Sequence, residues 1–290
     1  MKRVSIVVTT YQRNKFLIRL VNQIEGWINQ YAGANRYEVG VADSDPENPI
    51  AKSLKKLNYT VNPGRGFDDN LLHFWKMNAP RYDYILSISD DDLFMLGVNP
   101  LYLLDAAISV GADATLFNHR NFVNTASGAI TIGSVPYFRE FAMAWEERTF
   151  WLRLLSMLPG HVGLLYSTKL LTENFDRISC FRNTLHLYCV PLLIAGLNHR
   201  MVFLDYTLCL FDSEEGKTDG AWSHHEEVMN GLALFLKQLQ SLLPQDDYQI
   251  AQKSFFEHYF GSESWLRKEF PDHVSVRTEA EILKYLSTPS

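Results

Sequence analysis

The 290-residue chain has three cysteines, Cys180, Cys189 and Cys209, and no two of them form a C-x-x-C pair. An odd, unpaired set of thiols argues against a disulfide framework or a thiolate zinc site, and fits reduced residues in a cytoplasmic protein. Long apolar runs are also missing. The longest, Leu185 to Leu197, is interrupted by His186 and Pro191 and is shorter than the roughly 20 residues needed to span a bilayer. The N-terminal stretch Val4 to Val8 is too short for the apolar core of a signal peptide and reads as a strand. There is no block of Lys and Arg, and the net charge is −6, which speaks against nucleic acid as a partner. Internal repeats and low-complexity tracts are absent. What remains is 47% hydrophobic and 13% aromatic, enough for a substantial core.

Within roughly the first hundred residues, short β-branched runs alternate with helical periodicity, the pattern of βαβ units and a mainly parallel sheet. Val4 to Val8 is the first strand. Phe16, Leu17, Leu20, Val21, Ile24, Trp27, Ile28 and Tyr31 trace one helix face, with Asn14 as its cap. Tyr37 to Val41 and Leu57 to Val61 are further strands, Phe67 to Met77 is helical, and the strand Tyr84 to Ser89 runs into Asp90-Asp91-Asp92. Later come a helix at Leu101 to Val110, strands at Ala114 to Asn118, Ala129 to Ile132, Leu164 to Tyr166 and Met201 to Leu210, and an aromatic helix from Tyr137 to Leu158. That aromatic helix serves core packing, sugar stacking or a membrane face. Leu185 to Leu197, Val228 to Leu243 and Tyr248 to Phe260 read as helices, and the Gly-punctuated stretch Asp212 to Trp222 as a mobile loop. Residues 1–110 and 111–225 are read as two halves of one domain, with 226–290 as a helical extension.

Ligands of open α/β sheets gather at the carboxyl ends of strands near a topological switch point. Three polar clusters fall at such ends: Thr9-Thr10-Tyr11-Gln12-Arg13, Asp43-Ser44-Asp45 and Asp90-Asp91-Asp92. Adjacent carboxylates repel unless a cation or donors neutralise them. Oxygen ligands favour Mg²⁺ or Mn²⁺, which would in turn stabilise a diphosphate leaving group. A solvated helix start is the simpler use of the same aspartates. Asp43 supplies an acceptor for an imide N–H or, more plainly, an Asx-turn, and Gly64 and Gly66 allow close backbone approach.

Taken in order, V-S-I-V-V-T-T-Y-Q-R (4–13), V-A-D-S-D (41–45), N-P-G-R-G-F-D-D-N (62–70) and S-D-D-D (89–92) resemble glycosyltransferase family 2 with the GT-A fold. The resemblance implies a metal-dependent transferase, using a nucleoside-diphosphate-sugar donor (UDP-sugar favoured) and a glycan or lipid-linked acceptor, with inversion expected. It places Thr9, Thr10, Tyr11 and Arg13 in the donor pocket, Asp43 and Asp45 towards the base, and Gly64, Arg65 and Asn70 near base or ribose. Asp90 and Asp91 would meet ribose and metal, and Asp92 would complete the metal–diphosphate site. Ser89 stands where many members carry another aspartate, so which carboxylate binds metal stays open.

The acidic pair usual near the acceptor helix is missing from Arg182 to His186, which leaves His186 as the candidate base, with Asp176 and then Glu173 behind it. A buried core histidine is the plainer account of His186, and a turn histidine that of His161. In the loop 217–225, Lys217 and Trp222 are candidates for donor contact, and His224 or His225 for an additional metal ligand; a solvated helix start is the alternative. The resemblance also implies polysaccharide biosynthesis at the cytoplasmic membrane face, with peripheral membrane contact and an unspecified oligomeric state. Competing readings are a sugar nucleotidyltransferase, against which the glycine-free Thr9 to Arg13 argues, and a non-catalytic binding protein on the same fold.

Overall fold

The computed structural model describes residues 1–11, 13–45, 47, 54, 57–61, 66–95, 97–124, 130–132, 152, 161, 163–212 and 225–260. Among these residues nine strands form one sheet in the order β3-β2-β1-β4-β8-β6-β9-β5, with β7 paired to β6. The strands are β1 (Arg3–Thr10), β2 (Arg36–Asp43), β3 (Asn58–Val61), β4 (Tyr84–Ser89), β5 (Leu93–Phe94), β6 (Ala114–Asn124), β7 (Ile130–Ile132), β8 (Leu164–Ser167) and β9 (Met201–Asp212). β3, β2, β1 and β4 run parallel to one another, β8 is antiparallel to β4 and β6, and β9 is parallel to β6.

Helices α1 (Asn14–Gln30) and α3 (Leu101–Val110) cover one face of the sheet; the other carries α2 (Gly66–Asn78), α4 (Thr168–Glu173), α5 (Phe175–Ser179), α6 (Val190–Leu197), α7 (His225–Leu242) and α8 (Gln245–Phe260). Strand alternation makes the division. Val4, Ile6 and Val8 of β1 face the α1 side together with Leu17, Leu20, Val21 and Ile24, whereas Val7 faces the α2 side with Phe74 and Trp75. Both faces being covered explains why β1 reads as an unbroken apolar run. Gly40 of β2 has a packing reason: a Cβ there would lie 2.6 Å from the Phe74 ring and 3.0 Å from Ser5 Oγ. α7 and α8 contribute Leu232, Phe235, Leu236, Leu239, Tyr248 and Phe255 to the same apolar cluster as α2 and α6.

Several local expectations change. Arg13, not Asn14, occupies the N-cap of α1. The helix expected from Leu185 begins only at Val190, after a 3-10 turn over Leu187–Cys189, because Asn183 (φ 68°) and Leu185 (φ 64°) are left-handed. β6 and β9 extend well beyond their apolar cores, and β5, α4 and α5 are additional elements. The expected aromatic helix at 137–158, apart from Leu152, and the loop at 213–222 lie outside the described residues.

Candidate functional site

The chain leaves β1 towards β2 and β3 on one side and returns to β4 on the other, so the carboxyl ends of β1 and β4 form a topological switch point, the place where open α/β sheets bind ligands. The strand ends are level: Thr10 pairs with Asp43 and Thr9 with Ser89. Ser44 N–H donates to the Thr10 carbonyl and Asp90 N–H to the Thr9 carbonyl, each at 3.1 Å, extending both ladders into the site. Three clusters are thereby brought to one rim, Thr10 and Asp90 across 80 residues of chain.

Asp90, Asp91 and Asp92 form a tight turn in which Asp92 N–H donates to the Ser89 carbonyl (3.3 Å), just before β5 pairs with β9. The Asp90 and Asp92 side chains are buried, and Asp91 is partly exposed. Thr10 donates to Asp90 Oδ2 at 2.6 Å. Arg13 Nη2 lies 2.6 Å from Asp90 Oδ1, an ion pair without hydrogen-bond alignment, and Arg13 Nη1 donates to Asp91 Oδ2 at 2.6 Å. Arg19, on α1, donates to the Asp91 main-chain carbonyl at 2.7 Å. Burial raises the Asp90 carboxyl to about 7, with Arg13 opposing that rise. The donor set is hard oxygen and suits Mg²⁺ or Mn²⁺. As arranged, however, Arg13 lies against two of the three carboxylates, and the described residues contain no group of three His, Cys, Asp or Glu disposed to hold an ion. Asp90, Asp91 and Asp92 are the residues that would hold a divalent ion here, and in this arrangement Arg13 stands against two of them.

The buried Asp43 accepts the Asp45 N–H at 2.8 Å, the Asx-turn bond, and also accepts from the Tyr59 hydroxyl. Asp45 in turn accepts the Glu47 N–H at 3.0 Å. Asn70 donates to the Ala42 carbonyl at 2.7 Å, tying α2 to the end of β2, while its Oδ1 is buried without a hydrogen-bond partner among the described residues. Tyr11 stands exposed beside the rim. Gly66 opens α2 at φ 77°, whereas Gly64, Arg65, Lys217, Trp222 and His224 lie outside the described residues. His225 is the first residue of α7, and its side chain also lies outside them.

His161 is brought beside the end of β1: its Nδ1 is 3.5 Å from Thr9 Oγ1, and its ring packs on Phe67 (4.9 Å) and Tyr188 (5.0 Å). Burial pushes it down to about 3 against the field of Asp91. His186 lies one ring further away, with Nδ1 3.3 Å from the Tyr188 hydroxyl, Phe235 beside it, and Nε2 without a hydrogen-bond partner among the described residues. Burial lowers it, too, to about 3, so it is neutral at physiological pH. Asp176 is exposed on α5, and among the described residues no side-chain hydrogen bond or ion pair joins it to the rim.

The segment before His186 is clamped from α2 and from α7. Asp68 accepts the Leu185 N–H at 2.8 Å, Asp69 pairs with Arg182, and Gly231 of α7 lies so close that a Cβ would meet the Thr184 carbonyl oxygen at 2.6 Å. Arg19, Asp68 and Asp69 went unnoticed in the sequence. Asp68 and Asp69 belong to the N-P-G-R-G-F-D-D-N stretch, and paired acids in a first helical turn are the signal that marks them. Arg19, between Ile18 and Leu20 and off the apolar stripe of α1, carried no comparable mark.

This fold, a mostly parallel sheet with helices on both faces and an acidic turn after β4, is the GT-A fold of glycosyltransferases. Among solved structures it is similar to TarS from S. aureus, with a TM-score of 0.61 at 17% identity over 98% of this chain and 49% of that one. It is also similar to the mannosyltransferase PcManGT from Pyrobaculum calidifontis, solved with GDP-Man and Mn²⁺, with a TM-score of 0.54 at 14% identity over 98% of this chain and 74% of the other. A third is mannosyl-3-phosphoglycerate synthase from Rubrobacter xylanophilus, with a TM-score of 0.51 at 14% identity over 84% and 77% of the two chains. The chain spans about half the length of the S. aureus protein. No protein-family model and no curated protein sequence matches it. No helix among the described residues is long and apolar enough to cross a membrane.

Proposed function

We propose that the chain is a glycosyltransferase that moves a sugar from a nucleoside-diphosphate sugar, UDP-linked in the favoured reading, to a hydroxyl of a glycan or lipid-linked acceptor, with inversion. The observation that carries this reading is the level set of strand ends, Thr9-Thr10, Asp43 and Asp90 to Asp92, at the switch point of a GT-A sheet. The P. calidifontis neighbour, solved with GDP-Man and Mn²⁺, supports a divalent ion as the partner of the acidic turn. When bound, that ion supplies Lewis-acid stabilisation of the diphosphate leaving group.

The chain's own residues do the rest. Asp43 and Asn70 orient the nucleoside from the β2 side, with Tyr11 as an exposed ring at the mouth. Asp90 to Asp92 hold the charged end, and Arg13, with Lys217 of the 217–225 loop, meets phosphate. Trp222, His224 and His225 belong to the closing side, Gly64 and Arg65 to the base or ribose side. On the acceptor side the role of proton acceptor falls to His186, unprotonated at neutral pH, with Asp176 as the alternative. Its low proton affinity weakens the driving force for that step, so the assignment has its own arm in the test. The place of action proposed is polysaccharide assembly at the cytoplasmic face of a membrane.

Titration calorimetry of UDP and GDP, with Mn²⁺ or with EDTA, tests the reading. At least one nucleotide should bind tenfold or more tightly with Mn²⁺; equal affinity in EDTA would overturn the metal-bound donor. His186→Ala should retain that binding and lose at least a hundredfold in turnover of the preferred nucleotide sugar. Wild-type turnover in the variant would remove His186 as base.

A further inference from the structure

Three carboxylates in one turn, two of them buried, need a positive partner. Arg13 supplies it with both terminal nitrogens, one 2.6 Å from Asp90 and the other 2.6 Å from Asp91. The two ends of this contact differ in freedom: the Asp90 side chain has no exposure, whereas that of Arg13 is 28% exposed. The Arg13 backbone is pinned, since its carbonyl accepts from the N–H groups of Phe16 (3.0 Å) and Leu17 (3.1 Å) at the start of α1. Movement is therefore left to the side chain. Arg19 differs in kind. It donates to the Asp91 main-chain carbonyl and holds the turn without engaging a carboxylate oxygen.

We propose that the Arg13 guanidinium is the resident counter-ion of the acidic turn. It occupies the carboxylate oxygens a divalent cation needs, and yields them when the cation arrives with a nucleoside diphosphate, whose phosphates then receive the guanidinium. The proposal rests on the reading of this turn as a metal–diphosphate site. Two positive groups cannot share the same oxygens of Asp90 and Asp91 without strong repulsion. A planar fork that spans two carboxylates also suits neighbouring phosphate oxygens, so the displaced side chain has a destination as soon as nucleotide is present. Cation and nucleotide then become linked ligands: each pays for Arg13 displacement when alone, and together they share that cost, so each tightens the other by the same factor.

The test reads metal binding directly, by electron paramagnetic resonance titration of Mn²⁺ on the full chain without nucleotide and with UDP or GDP. Wild type should bind Mn²⁺ weakly alone and much more tightly with nucleotide. Arg13→Gln should bind Mn²⁺ alone at least tenfold more tightly than wild type, and nucleotide should tighten it by a smaller factor. Arg13→Lys keeps the charge but cannot span both carboxylates, and should fall between the two. Equal Mn²⁺ affinity in wild type and Arg13→Gln overturns the proposal. If circular dichroism shows that Arg13→Gln is unfolded, Arg13→Lys decides, and Mn²⁺ affinity equal to wild type overturns it. The two readings fail separately. Metal-independent nucleotide binding by wild type defeats the donor-site reading, whereas metal-dependent binding with no gain in the Arg13 variants defeats this one alone.

Discussion

Asp68 sits in the first turn of α2 with its carboxylate in the protein interior, and burial raises it to about 7 although the Leu185 N–H bonds to it. A carboxyl raised above its ordinary value of about 4 is protonated in the folded chain across an interval where the unfolded chain has already released its proton. The folded state then binds more protons than the unfolded one, so stability falls as pH rises from about 4 to about 7. Asp68→Asn keeps an oxygen for Leu185 and removes the charge. It should be more stable than wild type at pH 8, by about 1–3 kcal/mol, and the difference should vanish near pH 4. Urea melts at the two pH values check this, and a variant less stable than wild type at pH 8 would refute it. Individual residues at the strand ends were legible in the sequence because chain neighbours determine them: a polar cluster follows each apolar run. Their partners were not. That Arg13 meets Asp90, or Asp68 meets Leu185, depends on which elements the fold sets side by side, across 77 and 117 residues.

At the level of elements, the approach to α6 is the clearest divergence from sequence pattern. Leu185 continues the apolar periodicity of the segment, yet it stands at φ 64°, a conformation uncommon for a bulky side chain and normally costly. Asp68, Asp69 and the close approach of α7 at Gly231 hold it there. All three lie far away in sequence, so no local rule could place the helix start. Gly231→Ala tests the clamp. In an exposed helix this change would stabilise by up to about 1 kcal/mol. Here the added Cβ meets a main-chain oxygen at 2.6 Å, and the net effect should be a loss of about 1–3 kcal/mol. A thermal melt in which the variant gains stability would show that the segment yields freely. By contrast β4 and α3 match their expected bounds, since their apolar patterns stop where turn residues begin.

For the molecule as a whole, two apolar layers share one sheet, and β1, β2 and β4 present residues to both. Trp75 reports on the α2 layer, while Trp27 packs against the α1 layer. Because neither layer can lose its strands without exposing the other, denaturation followed by tryptophan fluorescence and by far-ultraviolet circular dichroism should give one coincident transition. Two separated midpoints would mean that the layers unfold independently. The parallel part of this architecture was readable from the alternation of strand and helix patterns. The antiparallel insertion of β8 between β4 and β6 was not, since a four-residue strand, Leu164–Ser167, carries no mark of direction or neighbour.

The level strand ends have a bearing on how such a protein changes over generations. The residues proposed for the donor side hang directly from backbone ladders, so replacing their surroundings means disturbing the pairing on which the sheet depends. The segment leading to His186 is held instead by a few side chains and one close helix contact, each open to substitution by itself. For a transferase of the kind proposed, descendants would then keep the nucleotide they draw on while drifting in the molecule they decorate.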